Sequence, residues 1–171
     1  MKWILELLLS APVYAQYFPQ RVFPKYCEGS EMFNNLGRPM YRFTFSSDCT
    51  NALAQSQSFN GRFCDDEKLV RENGQVSHQF TFRSDCNEAL VDLRNSRYGL
   101  YCDSGLMNQI YRGRVANLTF ESDCKDALLQ ANQYRGFFCN NSVMMTYLGE
   151  RLRDYTFESN CKDALRKLGS K

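Results

Sequence analysis

Two hydrophobic rhythms alternate along this chain. In the runs Arg-Phe-Thr-Phe (ending at Phe45), Gln-Phe-Thr-Phe (Phe82), Asn-Leu-Thr-Phe (Phe120) and Asp-Tyr-Thr-Phe (Phe157), apolar residues alternate with polar ones. That is the period of a strand with one buried face. Each run gives way at once to helical spacing. Cys86, Ala89, Leu90 and Leu93 fall at i, i+3, i+4 and i+7, and Cys161, Ala164, Leu165 and Leu168 repeat the stripe. The cysteine heads the stripe and therefore faces a core.

The junction between the two rhythms is one phrase written four times: TFSSDCTNAL from Thr44, TFRSDCNEAL from Thr81, TFESDCKDAL from Thr119 and TFESNCKDAL from Thr156. It supplies an aromatic core residue, a helix start and a cross-link. Ser47, Ser84, Ser122 and Ser159 are placed to cap the helix, and Asp48, Asp85, Asp123 or Asn160 follows in the first turn, where a carboxylate suits the positive end of the helix dipole. Ahead of the second copy, Asn73-Gly74 separates two strand-like runs and marks a tight hairpin; Gly37, Gly113 and Gly149 stand at the equivalent points. In the register set by that turn Glu72 faces Gln75, which carries Cys64 opposite Arg83, with Cys86 just beyond in the helix.

The cysteines keep the same period. Cys27, Cys49, Cys64, Cys86, Cys102, Cys124, Cys139 and Cys161 are separated by gaps of 22, 15, 22, 16, 22, 15 and 22. An even set at such spacing reads as disulfides, and no C-x-x-C pair offers the close ligands of a thiolate metal site. Pairing across every 22-residue gap uses all eight alike: Cys27 with Cys49, Cys64 with Cys86, Cys102 with Cys124 and Cys139 with Cys161. Each such loop stabilises by about 3 kcal/mol in the chain-entropy picture. The expected fold is α+β: four tandem ββα repeats of 37–38 residues, each a hairpin plus a short helix stapled by one internal disulfide.

The repeats are placed at 26–60, 63–98, 101–135 and 138–171 of a single domain spanning 16–171. An extended lead-in at 16–25, carrying Pro19 and Pro24, precedes them. Residues 1–15 read as a secretory signal peptide: Lys2, an apolar stretch, then Val13 and Ala15 before Gln16. No later segment approaches the roughly 18 apolar residues of a membrane helix, so no transmembrane anchor is expected. Because the outer units keep the full apolar pattern, a compact arrangement of hairpins forming a sheet under the helices is favoured over an open row.

Composition changes this picture little. The net charge of +2 points neither to nucleic acid nor to an acidic surface. The single histidine, His78, lies on the inward face of its strand, and with the thiols bridged no Cys-His nucleophile is available. There is no G-x-S-x-G elbow, phosphate-cradling glycine loop or H-E-x-x-H motif. Asp65, Asp66 and Glu67 cluster after Cys64, and a carboxylate pair can hydrolyse glycosides, but a solvated acidic loop accounts for them. No catalytic residue, metal or cofactor is assigned.

Arginine is the exception, with fourteen Arg against seven Lys. Arg38, Arg42, Arg71, Arg112, Arg114, Arg151 and Arg153 all fall in the hairpins, and aligned tips would make a basic rim able to grip phosphate, sulfate or carboxylate groups. The plainer reading is that charges blunt exposed strands. The expectation is an exported protein, secreted or periplasmic, that binds an anionic envelope polymer or another exported protein through its hairpin tips. The alternatives are an inhibitor of an exported enzyme and a hydrolase with an unrecognised carboxylate site.

Overall fold

The computed structural model describes residues 24–169; the expected signal peptide and most of the expected lead-in lie outside them. The first repeat is β1 (Lys25–Glu28), β2 (Glu31–Asn34), β3 (Pro39–Arg42) and α1 (Ser46–Ser58). The second is β4 (Phe63–Asp65), β5 (Lys68–Val70), β6 (Val76–Gln79) and α2 (Arg83–Asn95). The third is β7 (Leu100–Asp103), β8 (Leu106–Gln109), β9 (Gly113–Asn117) and α3 (Glu121–Gln133). The fourth is β10 (Phe137–Asn140), β11 (Val143–Thr146), β12 (Arg151–Asp154) and α4 (Glu158–Gly169). The α+β repeat and its disulfide are as expected, but each hairpin gains a third strand in front, so every repeat is an antiparallel three-stranded meander followed by a helix.

The extra strand arises from a two-residue turn directly after the first cysteine's strand. Gly29, Asp66, Ser104 and Asn141 hold its left-handed corner at φ of 51–57°. Gly takes that conformation freely and Asn and Asp tolerate it better than most residues, so a single phrase position is filled by turn-competent residues in all four repeats. The expected hairpin register survives where the strands do pair, with Leu69 opposite His78 and Lys68 opposite Gln79. It fails at Cys64, which faces Leu69 and not Arg83, because the chain has already turned back. The cysteine strand is thus a sheet edge, and the disulfide ties that edge to the first helical turn, with Cα–Cα separations of 6.0–6.1 Å in all four repeats. Every bridge is the one predicted, and the described residues hold no free cysteine.

The helix starts need a second correction. Each of the first three helices begins one residue before its serine, with Phe45, Phe82 or Phe120 at the N-cap, and no side chain caps it. Phe157 stands at the same point of the fourth repeat, its carbonyl accepting from Asn160 at 3.1 Å. The aspartates act in the opposite sense to a cap: Asp48 accepts the Phe45 amide at 3.2 Å and Asp123 the Phe120 amide at 3.1 Å. Nor are these rings core residues. Phe45, Phe82, Phe120 and Phe157 are 66, 64, 65 and 65% exposed, while the residue two before each of the first three, Phe43, Phe80 or Leu118, is buried.

The repeats form an open row and not one sheet under helices. Each meander is a separate three-stranded sheet, and each of the first three helices packs both on its own first strand and on the first strand of the next repeat. Each core is therefore shared. Phe63 and Val70 of the second repeat complete the core of the first, Tyr101 and Ile110 of the third complete the second, and Phe138 of the fourth completes the third. The joint is polar at its rim. A cysteine strand at a sheet edge presents outward amides that require acceptors, and the preceding helix provides them: Gln55 Oε1 accepts from Cys64 at 2.7 Å, Asp92 Oδ2 from Cys102 at 3.0 Å, and Gln130 Oε1 from Cys139 at 2.9 Å.

Candidate interaction surface at the turn end

The topology gives each repeat two ends. The third strand runs away from the second turn towards the exposed phenylalanine, and the helix returns antiparallel, so its C-terminal loop comes back beside the turn. Contacts between repeats bring these turn ends together. The Tyr111 hydroxyl donates to Glu72 Oε1 at 2.7 Å, Tyr98 and Tyr147 lie with ring centroids 4.6 Å apart, and Lys25 Nζ donates to the Gly61 carbonyl at 2.6 Å. A side chain on Gly74 would strike the Met40 carbonyl, so this turn glycine serves inter-repeat packing as well as positive φ.

Of the seven predicted arginines, the structure gathers five at this end. Arg38 and Arg112 sit in turns, Arg71 borders the Asn73-Gly74 turn, and Arg114 and Arg151 begin the strands that leave their turns. Arg42 is at the opposite end, 3.5 Å from Glu31 across the strand pair, and Arg153 lies mid-strand with its guanidinium 5.4 Å from the Tyr155 ring centre. Arg151 is held by Asp154, whose hydrogen bond raises its pKa. The bland reading of charges on an exposed strand fits Arg151 and Arg153, because every residue of β12 is exposed.

The reading of the hairpins alone missed Arg62 and Lys25, which lie outside them. Arg62 follows the α1 loop and is buried, with Nε 3.7 Å from Glu72 Oε2. Arg71 lies over the Tyr111 ring at 5.4 Å, and Lys25 lies over the Phe63 ring at 5.6 Å. Two cations, Arg62 and Lys25, thus share one carboxylate, Glu72, and a third, Arg71, lies over the tyrosine ring whose hydroxyl bonds it. Burial lowers the Lys25 pKa to about 8, the nearby Glu72 opposing the shift, and burial together with the hydrogen bond to Glu72 raises that of Tyr111. A buried ammonium is costly without a full counter-charge, so this cluster favours the approach of an anion. Arg97 and Arg135, in the loops that follow α2 and α3, are exposed and add to the same end.

The other candidates resolve as joints. His78 is half-buried and its Nε2 lies 2.8 Å from Asp103 Oδ2 of the next repeat; in the preceding joint the Tyr41 hydroxyl donates to Asp65 Oδ2 at the same distance. Burial first, then that hydrogen bond, raises the Tyr41 pKa. Asp66 and Glu67 form the two-residue turn after β4. Among the described residues, no group of three or more His, Cys, Asp or Glu side chains is placed to hold a metal ion, and no helix is long and apolar enough to cross a membrane. Comparison with known protein families, with curated proteins and with solved structures finds no match for this chain.

Proposed function

We propose that this is an exported, non-enzymatic binding module, secreted or periplasmic, whose basic turn end grips an anionic macromolecule such as an envelope polymer. Four disulfides suit an oxidising compartment. The observation that carries the reading is the imbalance at the first joints, where Lys25 and buried Arg62 share Glu72 and Arg71 lies over the Tyr111 ring, while Arg38, Arg112 and Arg114 stand exposed at the same end. Guanidinium groups pair bidentately with sulfate, phosphate and carboxylate, and neighbouring turns on a rigid row let one polymer engage several at once.

The test is retention on immobilised sulfated polysaccharide and on immobilised polyglutamate across a salt gradient. Arg38, Arg112 and Arg114 changed together to Glu leave the joints intact and abolish retention on the preferred matrix; unchanged retention removes the proposal.

A further inference from the structure

The opposite end of the row carries an aromatic edge that the fold does not require. An N-cap position favours Ser, Thr, Asp or Asn, whose oxygen accepts a free helix amide, and Phe supplies none. Yet Phe45, Phe82, Phe120 and Phe157 occupy that position in every repeat, each about two-thirds exposed. One exposed ring is ordinary; four at the same point of four repeats, at near-identical exposure, are a repeated apolar surface.

The surroundings set the chemistry of whatever covers it. The turn after each first strand lies at this end, because its carbonyl receives the amide two residues before the phenylalanine, as Ser30 does from Phe43 and Glu67 from Phe80. These turns and helix starts are acidic: Glu28, Glu31 and Asp48 around Phe45, Asp66, Glu67 and Asp85 around Phe82, Asp103, Glu121 and Asp123 around Phe120, and Glu158 beside Phe157. Part of this charge is already matched, Arg42 to Glu31, Arg83 to Asp66 at 3.9 Å, Lys162 to Glu158 at 2.8 Å and His78 Nε2 to Asp103 at 2.8 Å, and the carboxylates still outnumber these partners. Aromatic faces attract ammonium and guanidinium groups, and carboxylates beside them add to that attraction.

We infer that the phenylalanine edge is a second docking surface, and that its occupant is an extended protein segment in which Lys or Arg alternates with apolar side chains. Four equivalent rings on a row held by matching joints favour a long ligand, since each further repeat engaged is an intramolecular event. The inference stands apart from the basic turn end and from its polymer.

The probe is a synthetic 24-residue peptide alternating Lys and Leu, with Lys-Ser and Glu-Leu peptides of the same length as controls, titrated by calorimetry into the oxidised chain. The Lys-Leu peptide binds at least tenfold more tightly than either control and than its own six-residue version. Phe45→Ser, Phe82→Ser, Phe120→Ser and Phe157→Ser combined reduce its affinity at least tenfold, while Arg38, Arg112 and Arg114 changed to Glu leave it unweakened. Serine is a favoured N-cap residue, so the combined variant keeps its fold, as checked by circular dichroism and by retention on the anionic matrix. Binding of Glu-Leu or Lys-Ser as tight as Lys-Leu, or a combined variant that binds like the parent, overturns the inference. So does a parent chain that sediments as a dimer while the combined variant is a monomer, because the occupant is then a second copy.

Discussion

Gln130 is the residue on which the last joint turns, and replacing it tests the architecture directly. Its side chain is 8% exposed, and its Oε1 is the acceptor for the edge amide of Cys139 at 2.9 Å. Gln130→Leu keeps the volume close and removes the acceptor, leaving a buried amide unpaired at a cost of about 1–3 kcal/mol. Gln130→Lys removes the acceptor and adds an ammonium at the rim, so its cost is at least that of Leu. Gln130→Glu restores an acceptor but sets a carboxylate where the Gln130 amide donates to Asp126 Oδ2 at 2.8 Å, so it recovers only part of the loss. Because α3 is the element that covers β10, the loss appears as opening of the fourth repeat alone. Hydrogen exchange by mass spectrometry on the oxidised protein reads it: amides of β10 to α4 exchange about 5- to 150-fold faster, as 1.4 kcal/mol is a factor of ten, while those of the first repeat are unchanged. If Gln130→Leu leaves the fourth repeat protected, or loosens all four repeats equally, the shared-joint reasoning is wrong.

Removing the terminal bridge with Cys139→Ala and Cys161→Ala costs about 3 kcal/mol and lowers exchange protection in the fourth repeat only; removing Cys102–Cys124 costs a similar amount but disturbs both neighbours, because that core includes Phe138 and the α2 joint rests on β7. Two phenylalanines two positions apart separate sharply in denaturant melts: Phe80→Ala, at a buried site, costs about 3–5 kcal/mol, whereas Phe82→Ser stays within about 1 kcal/mol of the parent because a gained cap offsets the lost partial burial. Stability rises as pH passes from about 8 towards 10.5, since the folded chain has released the Lys25 proton there and the unfolded chain still holds it. It falls above about pH 10, where unfolded tyrosines ionise and buried Tyr41 and Tyr101, with raised pKa values, keep their protons. Denaturant midpoints measured from pH 7 to 11 show the rise, and Lys25→Met abolishes it.

The period, the helices, the second turn and all four disulfides were legible because each leaves a mark that spacing alone reveals. The first turn was not, since Gly29, Asp66, Ser104 and Asn141 are four different residues whose shared property is tolerance of positive φ; only alignment of the repeats on their cysteines exposes it. The serines have the chemistry of a cap, but the Phe two residues before takes that place, which leaves Ser47 and its equivalents inside the first turn. The aromatic of each phrase reads as core because alternation identifies which residues share a strand face, not where the strand ends. Phe43 and Phe45 share a parity, yet β3 has ended at Arg42, and the chain enters the helix with Phe45 turned outward. At the turn end, Arg62 and Lys25 escaped attention because only the row of repeats carries them to Glu72.

The same chemistry sets α4 apart from the three helices before it. An internal helix buries the residue seven after its cysteine under the next repeat: Ser56, Leu93 and Ala131 are buried, whereas Leu168 is 42% exposed. One residue earlier, Gln55, Asp92 and Gln130 offer oxygen to the incoming amide, and α4 instead presents Lys167, which has donors and no acceptor. The last sheet's other edge, β12, is wholly exposed and carries Arg151, Arg153 and Asp154, charges that oppose strand addition. Leu168 and Lys167 thus distinguish α4 from α1, α2 and α3 at the two positions that make each joint.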